Sequence, residues 1–158
     1  MTKHILILGG GGFIGINIAR RLLDNDGYRV TLADKRYRNR LEEYFDANER
    51  AKLKVIEEDF TDPRAYDKLN HSYDHVYMMA AIVGVNRTLA HPDEVIRVNM
   101  GLTHHTLGWL QRADVGRVVF ASSSENYAAT TDLFGAPVPT PETVPLTIRD
   151  IKHPRWTY

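Results

Sequence analysis

Apolar residues in this chain gather in short runs, separated by longer stretches with helical spacing. Ile5 to Leu8 is an unbroken apolar run; Tyr28 to Ala33, Leu53 to Ile56, His75 to Met79 and Arg117 to Ala121 are similar. Runs this short, bounded by polar and glycine-rich segments, predict strands buried on both faces. Between the first two, Phe13 to Leu23 places Ile14, Ile18 and Leu22 on one side and Arg20 and Arg21 on the other, which predicts an amphipathic helix. Arg40 to Arg50 is polar and predicts a short helix. Pro63 suits the first turn of a helix through about Leu69, with Thr61 or Asp62 as its cap. Pro92 opens a long helix to about Leu110. Strands alternating with helices form a parallel sheet, and right-handed crossovers give the spatial order 3-2-1-4-5. From about Ala128 to His153 the periodicity fails and Pro137, Pro139, Pro141 and Pro145 intervene, so the expectation there is an irregular, functional loop.

Length and composition narrow this picture. With 158 residues the chain makes one domain with a real core and not two. A formal net charge of zero gives no electrostatic reason to expect nucleic acid or an anionic membrane as partner. The absence of cysteine excludes disulfides and thiolate metal sites, and fits the expected cytoplasmic location. Ile5 to Leu8 is too short for a signal peptide, and no apolar run approaches the ~18 residues of a membrane helix. No metal is expected either. His104 and His105 are adjacent on a helix and point apart, and His71, His75, His91 and His153 lack partners at ligand spacing, so all read as surface or helix-capping residues.

Candidate chemistry starts at Gly9-Gly10-Gly11-Gly12-Phe13-Ile14-Gly15, between the first strand and the first helix. A turn there aims backbone N–H groups at an anion on the positive end of the helix, which suits the pyrophosphate of a dinucleotide. Side chains at Gly9 and Gly12 would obstruct the pyrophosphate, and one at Gly15 would lift the helix off the sheet. The bland alternative is a glycine turn that binds nothing. Asp34, at the end of the second strand, is placed to accept the two ribose hydroxyls of an adenosine, or is a solvated loop acid. Lys35 and Arg36 follow it and offer charge to a 2′-phosphate, which Asp34 would repel; NAD is therefore favoured over NADP.

These residues, with Asp59-Phe60-Thr61-Asp62, Ala80-Ala81-Ile82-Val83-Gly84, Asn99 and Ser122-Ser123-Ser124-Glu125-Asn126-Tyr127, resemble the extended short-chain dehydrogenases/reductases, the NAD-dependent epimerases and dehydratases of nucleotide sugars. The resemblance runs in order along nearly the whole chain. It implies a Rossmann-type doubly wound α/β domain over residues 1–158, ending before the family's remaining strands and substrate domain. It also implies that Asp59 and Phe60 meet the adenine, that the small Ala80 and Ala81, with Ile82, let backbone approach the cofactor, and that Asn99 braces the central helix. By the same resemblance Ser123 holds a substrate hydroxyl, while Ser124 and Glu125 occupy the place of an acid–base pair. Taken without the family, Asp59 reads as an N-cap, the alanines as close packing, and the serines as turn chemistry after a strand. Ser-Glu, and His153-Pro154-Arg155-Trp156-Thr157-Tyr158, look like UDP-glucuronate decarboxylases.

Tyr158 then corresponds to the family's catalytic tyrosine, one turn before a lysine that this sequence does not contain. The implied function is oxidation of a sugar C4 hydroxyl to a 4-keto intermediate that leads to epimerisation, dehydration or decarboxylation. A homodimer is implied for the full-length enzyme, and little turnover for this chain alone. The alternative is a dinucleotide-binding module without catalysis.

Overall fold

The structure, a computed structural model, describes residues 2–37, 41–153 and 156. The chain falls into two compact units, Met1–Ile82 with Val98–Ala121, and Val83–Arg97 with Ser122–Tyr158. The first unit carries the five-stranded parallel sheet: β1 (Lys3–Leu8), β2 (Tyr28–Asp34), β3 (Leu53–Glu57), β4 (Ser72–Met78) and β5 (Asp114–Phe120), in the order β3-β2-β1-β4-β5. The predicted order and fold class therefore hold. β4 and β5 begin three residues earlier than the apolar runs alone indicate, because Ser72↔Asp114 and Tyr73↔Val115 already pair.

Each face of the sheet has its own core. On one, Ile5, Ile7, Val30 and Leu32 pack against Ile16, Ala19 and Leu23 of α1 (Phe13–Leu23) and against Phe45. On the other, Leu6, Leu8, Val76 and Met78 meet Phe60, Tyr66, Leu102 and Trp109. The buried stripe of α1 is Gly15, Ile16, Ala19 and Leu23 rather than the predicted Ile14, Ile18 and Leu22. Gly15 sits closest to the sheet and sets the rotation of the helix, which turns Ile14 out to 59% exposure.

Arg40 to Arg50 is not one helix. A 3₁₀ turn at Leu41–Glu43 and the four-residue α2 (Ala47–Arg50) flank Phe45, which inserts into the core. Asp46 restarts the chain with a capping box: its carboxylate accepts the Glu49 N–H, and the Glu49 carboxylate accepts the Asp46 N–H. Arg40 lies outside the described residues. Pro63–Lys68 is likewise a 3₁₀ helix, capped by Asp62 as anticipated.

Asp62 accepts hydrogen bonds from the Arg64 side chain and backbone N–H, and these hold its carboxyl down to about 2 from an ordinary 3.8. The shift is downward, so whatever this contact contributes is present at neutral pH and disappears as pH falls through about 2. A carboxyl-detected NMR titration should show that midpoint, and Arg64→Gln should return it toward 3.8; an unchanged midpoint in the variant would assign the shift elsewhere.

α4 runs from Pro92 to Leu110, as the sequence predicts. Its later part lies in the first unit, where Thr106 bonds the buried Tyr66 hydroxyl at 2.8 Å. His105 is not a surface residue: it is half-buried, edge-on to the Tyr66 ring, and its Nδ1 is enclosed without a hydrogen bond among the described residues.

The second unit holds α3 (Val85–Ala90), the start of α4, a 3₁₀ turn at Ser124–Tyr127 and α5 (Ala128–Phe134). Neither α3 nor α5 is anticipated from the sequence. α5 replaces the start of the expected irregular loop; it buries Ala129 and Thr130 and stops at Gly135 in the left-handed region (φ 61°). Thr130 donates to the Pro145 carbonyl, which ties the proline-rich stretch back to the helix. No helix among the described residues is long and apolar enough to cross a membrane.

Candidate functional site

The turn from β1 into α1 is built from glycines that do different work. Gly9 has φ +86°, and a Cβ there would stand 2.6 Å from the Ala80 nitrogen, so the backbones after β1 and β4 touch. A Cβ on Gly15 would reach 2.3 Å from the Gly9 carbonyl oxygen, so Gly15 is the helix–strand contact. Gly11 is clamped from the other side: its Cβ would lie 2.5 Å from the Arg36 carbonyl oxygen. Gly12 differs. It is the N-cap of α1, in an ordinary extended conformation (φ −80°, ψ 164°), and a Cβ there would meet only the Gly9 oxygen, at 3.3 Å. Of the glycines in this turn it leaves the most room for a side chain.

No side chain caps α1, and no acidic residue lies in its first turn. Among the described residues the N–H groups of Phe13, Ile14 and Gly15 therefore have no side-chain acceptor, and no capping side chain meets the partial positive charge of the helix end. Phe13 (86% exposed) and Ile14 flank this end as exposed apolar side chains. An uncapped helix start with a less crowded glycine fits an anionic, partly apolar ligand, and the pyrophosphate of a dinucleotide meets that description.

Asp34 stands beside the turn. One carboxylate oxygen accepts the Gly11 N–H at 2.9 Å and the other the Arg36 N–H at 3.2 Å. Both oxygens keep lone pairs for outside donors, and the two backbone bonds fix the carboxylate in place. Tyr37, which sequence reasoning missed, secures this corner. Its hydroxyl donates to the Leu32 carbonyl at 2.9 Å, and its ring lies 3.1 Å from where a Gly11 Cβ would be. Burial first, then the Asp34 and Glu57 carboxylates, push the phenol above its usual range, so it stays a donor. The available signal was Gly11, a glycine outside the Gly9, Gly12 and Gly15 spacing that the pyrophosphate turn uses.

Lys35 turns from Asp34 to Asp59, with its ammonium 2.5 Å from a carboxylate oxygen. Burial alone would raise Asp59, but the hydrogen bonds from Lys35 and Thr61 outweigh it and hold the carboxyl below the usual range. Phe60 is buried, and its ring packs edge-on against Tyr66 at 5.1 Å. Ala80 is half-buried and Ala81 exposed. Asn99 grips Ile82 twice, accepting its N–H at 2.7 Å and donating to its carbonyl at 3.1 Å, so it braces the segment after β4.

Ser123, Ser124 and Glu125 belong to the second unit. The Ser123 hydroxyl caps the 3₁₀ turn by accepting the Glu125 N–H at 3.2 Å, which leaves its own proton to donate elsewhere. Ser124 is exposed and Glu125 half-buried. Tyr158, Pro154, Arg155 and Thr157 lie outside the described residues. Among the described residues no group of three or more His, Asp or Glu side chains is placed to hold a metal.

The chain is 33% identical over 136 residues to the UDP-N-acetyl-alpha-D-glucosaminuronate decarboxylase of Bacillus cytotoxicus, covering 85% of this chain and 40% of that protein. It is 31% identical over 137 residues to putative UDP-arabinose 4-epimerase 4 of Arabidopsis thaliana, covering 80% of this chain and 30% of that protein. The crystal structure of UDP-glucose 4-epimerase from Bifidobacterium longum in complex with NAD+ and UDP superposes with a TM-score of 0.71 at 25% identity, over 91% of this chain and 42% of that one. The chain thus spans less than half the length of these proteins. The model of the NAD dependent epimerase/dehydratase family matches residues 5–158, and the chain belongs to that family.

Proposed function

We propose that residues 1–158 are the NAD-binding half of an enzyme that modifies a nucleotide-linked sugar through a 4-keto intermediate. The observation that carries this reading is the start of α1: first-turn N–H groups with no capping side chain among the described residues, below the glycine of the turn that is least crowded by the fold itself. The cofactor pyrophosphate would lie over Gly11 to Ile14, with Gly9 and Gly15 keeping the turn tight beneath it. Asp34, held by Gly11 and Arg36, would accept the ribose hydroxyls. Asp59 and the Phe60 backbone would border the adenine, and Ala80, Ala81 and Ile82, braced by Asn99, would run beside the cofactor. Bound NAD+ would supply the acceptor for the hydride that leaves the sugar C4.

The substrate side rests on the family resemblance and on the two relatives named above, one a decarboxylase and the other an epimerase. The Ser123 hydroxyl has a proton to give and would hold the C4 oxygen. Tyr158 would take the C4 hydroxyl proton, and Ser124 and Glu125 would bias the fate of the ketone. A ketone at C4 acidifies C3 and C5 and loosens a C6 carboxylate, so one intermediate serves epimerisation, elimination and decarboxylation. The substrate domain would lie in the further length that the relatives have, the assembled enzyme would be a cytoplasmic homodimer, and this chain alone would bind cofactor without turnover.

Calorimetry with NAD tests the binding half. A dissociation constant below about 100 µM is expected. No heat of binding with about 5 mM NAD would overturn the reading.

A further inference from the structure

We infer that the opposite end of the sheet carries a second anion site, for a phosphoryl group, at a depression of ≈ 440 Å³ bordered by His4, Arg29, Thr31, Lys52, Lys54 and Asn70. This assignment does not depend on the proposed function. All six residues lie in the first unit, near the strand N-termini, away from the glycine turn.

The depression exists because the crossover from β3 to β4 contains only a six-residue 3₁₀ helix, which covers the C-terminal half of this sheet face. Strand alternation puts His4, Arg29, Thr31 and Lys54 on the same face as the core residues Leu6, Ala33 and Ile56. In register, His4 sits beside Arg29, and Thr31 beside Lys54. With strands about 4.8 Å apart and like-facing residues about 6.6 Å apart along a strand, these four frame a patch the size of one tetrahedral oxyanion.

Charge and hydrogen bonding point the same way. Neither Arg29 nor Lys54 forms a close ion pair among the described residues: the Arg29 guanidinium hydrogen-bonds its neighbour's carbonyl and reaches Asp26 only through its field, and the Lys54 ammonium hydrogen-bonds the Asn70 amide oxygen at 3.2 Å. Asp26 pairs with Lys52 and also feels Arg29, and Asp74 accepts the His4 backbone N–H at 2.7 Å, so Arg29, Lys52 and Lys54 outnumber these two carboxylates. Thr31 is 5% exposed and lines the depression, yet its hydroxyl has no hydrogen-bond partner among the described residues. A nearly buried hydroxyl beside Arg29 and Lys54, in a lining where cations are in excess, is a donor set for a phosphate oxygen. Solvation of an open sheet face calls only for polar residues; it does not call for an excess of cations.

The test is a two-dimensional amide NMR titration of the protein with inorganic phosphate and, separately, with adenosine 5′-monophosphate, at low ionic strength. Saturable shifts are expected at Arg29, Thr31 and Lys54, with a dissociation constant of about 1 mM or tighter and weakening as salt is added. Arg29→Gln with Lys54→Gln should weaken binding at least tenfold while shifts at Gly11 to Ile14, if present, stay as they were. Thr31→Val, which keeps both cations and the side-chain volume, should weaken it about threefold and serves if the double variant does not fold. Tighter binding of the nucleotide than of phosphate at these amides would identify an organic phosphate ester as the ligand; equal binding would identify the free anion. Shifts confined to Gly11 to Ile14, shifts reproduced by chloride at matched ionic strength, or unchanged binding in both variants would each overturn the site.

Discussion

Gly12→Val binds NAD at least about a hundredfold more weakly than the parent, a loss of about 2.8 kcal/mol, and melts within about 2 °C of it. The two halves of this expectation come from the same geometry. Residue 12 has φ −80° and ψ 164°, a conformation that β-branched residues favour, and its Cβ meets one atom, at 3.3 Å. A shift of a few tenths of an ångström at the Gly9 carbonyl is what the valine asks for, against a forced rearrangement at Gly9, Gly11 or Gly15. What the isopropyl group does occupy is the space over the first-turn N–H groups, where the pyrophosphate would sit. Gly15→Val provides the contrast: with a Cβ 2.3 Å from the Gly9 oxygen, α1 must leave the sheet, and the protein should fail to fold. Calorimetry and a thermal melt on both variants decide the matter. Unchanged NAD affinity in folded Gly12→Val would remove the pyrophosphate from this turn.

The second large effect concerns Asp34. NAD should bind at least tenfold tighter than NADP, about 1.4 kcal/mol, because a 2′-phosphate would face a carboxylate anchored by Gly11 and Arg36. Of the two cations that follow, Lys35 is taken by Asp59, while Arg36 forms no ion pair among the described residues. Asp34→Ala removes the ribose acceptor and leaves the Gly11 N–H without its partner. It should lower NAD affinity by about 1.5–3 kcal/mol, the range for hydrogen bonds to a charged group, and narrow the preference over NADP. Titrating both cofactors into both proteins measures this. Equal or reversed affinities in the parent would mean that Arg36 or Lys35 governs the pocket.

The central sheet was legible because burial on both faces leaves a local mark, an unbroken apolar run such as Ile5 to Leu8, and because α1 and α4 carry their own start signals in Gly12 and Pro92. The elements that escaped are held by long-range contacts. α5 has no apolar period; it exists because Thr130 reaches Pro145 and Gly135 ends it. Phe45 reads as one apolar residue in a polar stretch, yet it splits the expected helix by entering the core. At the candidate site, glycine spacing located the turn and strand length located Asp34. The pairing of Lys35 with Asp59, 24 residues apart, and the anchoring of Tyr37 on Leu32 depend on how β2 and β3 lie side by side. Periodicity carries no trace of either.

The glycines of the first turn also set out how this sequence can drift. Gly9 and Gly15 are locked by the chain's own backbone, so a descendant that keeps the sheet keeps them whatever it binds. Gly12 is held less tightly, with one backbone oxygen 3.3 Å from where its Cβ would stand. A lineage that gave up its nucleotide would be free to replace Gly12 first, with alanine, serine or valine, while Gly9 and Gly15 stayed fixed. Among divergent descendants the first and third glycines would then record only ancestry, and the middle one would report whether a ligand still occupies the turn.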